Sequence, residues 1–142
     1  MTVKNLEKTV LARIVTQLAY PTGTGNYNNS IAAGQVHSEF KMITEIHKFP
    51  AFCIGSVNIE TDGSIRGIYQ VPITVEIFGY VNSEDSPMDE ALKLLSDLRI
   101  ALTTDEFLNN GIRQFGLSAE VGAMDGFGIF LATIKGVMEH RS

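Results

Sequence analysis

The side chains able to do chemistry in this 142-residue chain are few, and their spacing limits what they could do. His37, His47 and His140 are scattered, with no two at the four-residue spacing that sets a pair of metal ligands on one helical face. Cys53 is the single cysteine, which rules out both an internal disulfide and a CxxC metal knuckle. It lies between Phe52 and Ile54 in an apolar run, where a free thiol is far more often a small buried hydrophobe than a nucleophile. His47 precedes that run, so a Cys53–His47 nucleophilic pair is the weaker reading. Glu76, Glu120 and Asp125 each have a ready solvated role, on a polar strand face, near a strand end and in a turn. No catalytic, cofactor or metal site is expected.

The stretch YPTGTGNYNNSIAAG, Tyr20 to Gly34, is the other candidate for chemistry. A phosphate-cradling glycine loop follows a strand and opens a helix, so that backbone N–H groups converge on the anion. Here the segment follows a helical pattern, no lysine lies between Lys8 and Lys41, and position 28 is Asn28 where a dinucleotide fingerprint needs glycine. A flexible polar loop over about 21–36 is the expectation.

The flanking elements are read from period and punctuation. Leu6, Val10, Ile14 and Leu18 recur every four residues and predict an amphipathic helix that ends at Tyr20-Pro21. Gln35 to Lys48 fits a short helix or a strand equally well. Phe49–Ile59 reads as a strand closed by the turn residues at 61–64. Ile65 to Val81 alternates, with Tyr69, Val71, Ile73, Val75, Ile77 and Val81 on one face and Gln70, Pro72, Thr74, Glu76, Phe78 and Tyr80 on the other. Pro72 cannot donate to a ladder, which places this strand at an edge, or bulged, near its beginning.

Ser86 as N-cap, Pro87 at the first helical position and Asp89 and Glu90 in the first turn predict a second helix. Its expected stripe is Met88, Leu92, Leu95, Leu98 and Leu102, with Ala91, Leu94 and Ala101 beside it and Lys93, Asp97 and Arg99 turned away. Two strands, Ile112–Val121 and Phe127–Met138, flank the turn signal Asp125-Gly126. The last is apolar on both faces and therefore central, or covered by a partner. The expected fold is α+β: one domain over 1–142, with a mixed, mainly antiparallel sheet and two main helices packed against it.

Composition narrows the function classes. Sixteen acidic residues against eleven basic ones, with no basic run, disfavour tight nucleic-acid binding. A single cysteine suits a reducing compartment, charges at 4, 7, 8 and 13 interrupt any signal-peptide core, and no run of about 18 apolar residues suggests a membrane span. With 44% hydrophobic but only 19% charged residues, apolar surface is left over for a partner.

The order of amphipathic helix, "PAFCIG" strand, long strand "YQVPITVEIFGYV", helix "MDEALKLLSDLRIAL" and closing strand "FGIFLATIKGVMEH" resembles the tail terminator, or tail completion, proteins of long-tailed bacteriophages. The likeness covers most of the chain except residues 21–36. It implies a non-enzymatic virion protein at the head-proximal end of the tail, assembled in the host cytoplasm. Such a subunit forms a six-fold ring, caps the tail tube, stops its growth and offers a joining surface to the head. Implied partners are other copies of the chain, the tail tube protein and a head–neck connector protein, with DNA only as passing cargo. The candidate assembly residues are Tyr20, Thr22, Thr24, Asn26, Tyr27, Asn28 and Asn29 in the loop, Tyr69, Val71 and Ile73 at the expected strand edge, and Phe127 and Ile129 on the closing strand. The alternatives are another neck or stopper ring protein and, in a different class, a small hydrolase or ligand-binding domain using Cys53 or His47.

Overall fold

Period-two alternation builds most of the molecule. The computed structural model describes residues 12, 31, 33–59, 68–102 and 112–141. Its five strands are β1 (Val36–His37), β2 (Ala51–Ile59), β3 (Ile68–Asn82), β4 (Ile112–Met124) and β5 (Phe127–Arg141). They form one sheet in the order β1-β2-β3-β5-β4. Only the short β1–β2 pairing is parallel; the other three are antiparallel. One long helix, α1 (Pro87–Leu102), packs across β3, β5 and β4.

The expectation of two main helices on the sheet is corrected, because the described chain is mostly sheet with one long helix. Of the amphipathic pattern at Leu6–Leu18 only Ala12, which is helical, is described; of the expected loop at 21–36 only Ile31 and residues 33–36 are, and Ile31 is 3% exposed and joins the core under α1. The ambiguous stretch Gln35–Lys48 contains no α-helix: it holds two-residue β1 and a 3-10 turn at Ile43–Glu45, with another just before it at Ala33–Gln35. Its apolar residues serve two different faces. Val36 joins the cluster under α1, whereas Ile43 and Ile46 pack on the opposite side of the sheet. A segment that crosses from one face to the other cannot keep a single helical stripe.

Under α1, the buried residues of the alternating strands interlock with the helix. Ile73, Val75, Ile77 and Val81 of β3 and Phe130, Ala132 and Ile134 of β5 meet Ala91, Leu94, Leu98 and Ala101. The helix is rotated from its expected stripe: Met88 and Leu92 are exposed, and Asp97 is fully buried and engaged by neighbours. Positions 91, 94, 98 and 101 follow the three- and four-residue steps of one helical face, and 97 lies about 40° beyond its edge, beside 101.

Turn chemistry fixes the hairpin. Asp125 (φ 53°) and Gly126 (φ 81°) form the two-residue loop that joins β4 to β5, the positive-φ pair that matches strand twist. β3 lies third of five and is interior from Ile73 onward, while the edge expected near its beginning agrees with the described pairing, which is one-sided at Ile68–Pro72. The described pairing with β2 begins at Ile73, so Pro72 is laddered to β5 through Val137, and a missing N–H is tolerated there.

Candidate functional site

The face of the sheet opposite α1 is built in two halves. Over its β2–β3 half, Ala51, Cys53 and Tyr80 are buried beneath the segment that carries Ile43, Ile46 and Phe49. Phe40 stands edge-on to Phe78 with ring centroids 5.2 Å apart, and Phe49 lies 5.8 Å from Phe127. The Tyr80 hydroxyl donates to the Lys41 carbonyl at 2.7 Å, which pins this covering segment to β3. A polar-looking position in the alternation is thus interior because another stretch of chain lies on it.

Cys53 shares that buried polar point. Its Sγ lies 3.6 Å from the Lys41 carbonyl and 3.8 Å from the Tyr80 hydroxyl. Burial pushes the thiol above its ordinary 9.0, against smaller lowering effects from the hydrogen bonds to Lys41 and Tyr80. Burial likewise pushes the Tyr80 phenol above its ordinary 10.0. The register sets His37 beside Cys53 on the neighbouring strand, while His47 is exposed. A protonated, enclosed thiol is a poor nucleophile. Labelling of native protein with a thiol reagent is expected to be slow until the chain unfolds, and rapid modification of the folded protein would contradict this placement.

These groups also set an alkaline limit. The folded chain holds both protons more tightly than the unfolded chain, so unfolding releases protons and rising pH favours it. The stabilisation is fully present below about pH 9 and is lost as pH climbs through the raised folded values. Denaturant midpoints measured from pH 7 to 11 are expected to fall above pH 9, and to fall less steeply in Tyr80→Phe. A midpoint that stays level through pH 11 would refute the assignment.

Over the β5–β4 half no described segment lies on the same face. Glu120, Val121, Gly122, Ala123, Met124, Ile129 and Leu131 line an open depression of about 390 Å³. Met124 on its rim is 68% exposed, and across the face Phe40 and Met42 are 51% and 58% exposed. β4 forms the end of the sheet, and among the described residues nothing pairs with its outer side. Gly116, Ser118, Ala119, Glu120, Gly122 and Ala123 are all exposed along it.

The expected assembly residues are distributed unevenly. Tyr20, Thr22, Thr24, Asn26, Tyr27, Asn28 and Asn29 lie outside the described residues. Tyr69 and Val71 are paired to His140 and Met138 of β5. Ile73 is 3% exposed, paired on both sides and turned into the core, so it offers no free edge. Phe127 and Ile129 are half-buried on the face opposite α1, and Ile129 lines the depression. Among the described residues β4 presents a long edge without a partner that carries none of the expected residues; its run of small residues, GLSAEVGA, was the available signal.

Among the described residues no group of three or more His, Cys, Asp or Glu is arranged to hold a metal, and no helix is long and apolar enough to cross a membrane. Comparison of the chain with known protein families and with curated protein sequences found no match.

Proposed function

We propose that this chain is a structural subunit that assembles with copies of itself into a ring at the end of a phage tail tube, as tail terminator proteins do. The observation that carries the reading is the thirteen-residue β4, which ends the sheet without a described partner beside an apolar depression. Long exposed edges invite strand pairing, and proteins that stay alone blunt them with lysine, proline or cover. Residues 116–124 of β4 carry one charge, Glu120, and neither lysine nor proline. On this reading the partners are other copies, the tube protein and a head–neck connector, and DNA passes through without being held.

The test is tube growth. Purified protein added to uncapped, growing tail tubes is expected to arrest elongation and to appear by electron microscopy as a ring on one tube end. Tubes that elongate at an unchanged rate with bare ends would reject the reading. Attachment to isolated head portals in place of tube ends would assign the chain to the neck.

A further inference from the structure

The sheet has two unequal margins, and their properties match. One is β4. The other is the second half of β2: β1 pairs with Phe52 and Cys53, and beyond them Gly55, Ser56 and Asn58 are exposed with no described strand alongside. On the α1 side, the margins end in half-buried apolar residues that touch the core: Val57 on β2, and Leu117 and Val121 on β4. On the other side they end in small or polar residues, Ser56 and Asn58 facing Ser118, Glu120 and Gly122. An apolar row that runs out half-covered at both edges is completed when one edge meets the other.

Strand direction agrees with this match. β2 and β5 run one way, while β3 and β4 run the other. A second copy moved sideways across the sheet therefore brings its β2 against β4 in antiparallel sense, with the core faces on the same side. Pairing β4 with β4 about a two-fold axis is the rival. The register that pairs all of Gly116–Met124 with itself sets Glu120 opposite Glu120, and like charges directly opposite are unfavourable. The free half of β2, Gly55–Ile59, carries no charge; the Ser56 hydroxyl already donates to Glu76 at 3.2 Å, and the Asn58 amide can donate a hydrogen bond to the Glu120 carboxylate.

We infer that the occupant of the β4 edge is the Gly55–Ile59 half of β2 from a second copy, joined antiparallel, so that the sheet continues from subunit to subunit. The contact is heterologous: each copy uses one edge to receive and the other to be received, and a rotation that closes gives a ring. The inference deepens the reading of the chain as a ring-forming subunit and rests on it.

Engineered thiols read the contact directly, because the native Cys53 is enclosed. Asn58→Cys and Ser118→Cys both replace exposed residues on the face away from α1. The full-length double variant, treated with a flexible bismaleimide alone and on uncapped tail tubes, is expected to give a ladder of covalent oligomers. A mixture of the two single variants is expected to stop at dimers. Ser118→Cys cross-linking to itself, with no product between the two variants, would overturn the inference in favour of β4–β4 pairing. Rings seen on tubes without any ladder would also overturn it while leaving the proposed function standing. A ladder from protein that does not arrest tube growth would uphold the contact and remove the tail-end role. Unchanged circular dichroism of each variant secures the comparison.

Discussion

Phe130→Ala is expected to lower the free energy of unfolding by about 3–5 kcal/mol, the range for deleting a buried aromatic ring from a core that relaxes only partly. Phe130 is fully buried between the sheet and α1, and stands edge-on to Phe52 at a centroid distance of 6.2 Å. Its ring also lies directly over Gly79, its partner across β3 and β5, where an added Cβ would overlap three of the ring carbons. Gly79→Ala alone is therefore expected to cost about 1–3 kcal/mol through overpacking. In the Phe130→Ala background the same methyl enters vacated space, so the two losses should sum to more than the double variant shows. Denaturant titration of the four proteins measures the cycle. Simple additivity would mean that the ring does not sit on Gly79.

Gly128→Ala carries the second large expected effect, with no equivalent rescue. A Cβ at Gly128 would overlap the carbonyl oxygen of Pro87 and crowd the side chains of Val81 and Ala91. The glycine is needed for space and not for a special backbone conformation, since its φ is not positive. Pro87 is the first residue of α1, so its carbonyl cannot rotate aside as a side chain would. The helix start must lift off β5, and the loss is expected toward the upper end of about 1–3 kcal/mol or beyond it. Ala91→Gly removes one of the three obstacles and should recover only a minor part. Gly122→Ala is the control: nothing lies within 4 Å of its added Cβ, and a change within about 0.5 kcal/mol is expected. Equal losses at 122 and 128 would show that the close approach of Pro87 is not what requires glycine at 128.

The elements that were legible in the sequence are those whose information is local. The alternation of Ile73, Val75 and Ile77, the Ser86-Pro87 helix start and the Asp125-Gly126 turn each follow from a few neighbouring residues, and each stands in the fold. Strand order is non-local, so Pro72 could mark the one-sided start of β3 but not that the strand is interior from Ile73 onward. Tyr80 and Cys53 could not be paired in advance, because their common partner is the backbone carbonyl of Lys41, which has no sequence signature. The burial of Asp97 was missed because a carboxylate on an amphipathic helix ordinarily faces water. As for the candidate surface, Ile129 lines the depression, whereas β4, whose outer side has no described partner, carries none of the expected residues.

The lengths of the elements have a mechanical consequence. Fifteen-residue strands such as β3 and β5 extend about 50 Å, whereas a sixteen-residue helix rises about 24 Å. Because α1 begins over Gly128, close to the hairpin turn, it can brace at most about half of that span. Among the described residues, the end carrying Ile68–Val71 and Val137–Arg141 lies beyond the reach of the helix and is joined by its paired backbones, so thrust applied at its tip would be carried lengthwise toward the braced end.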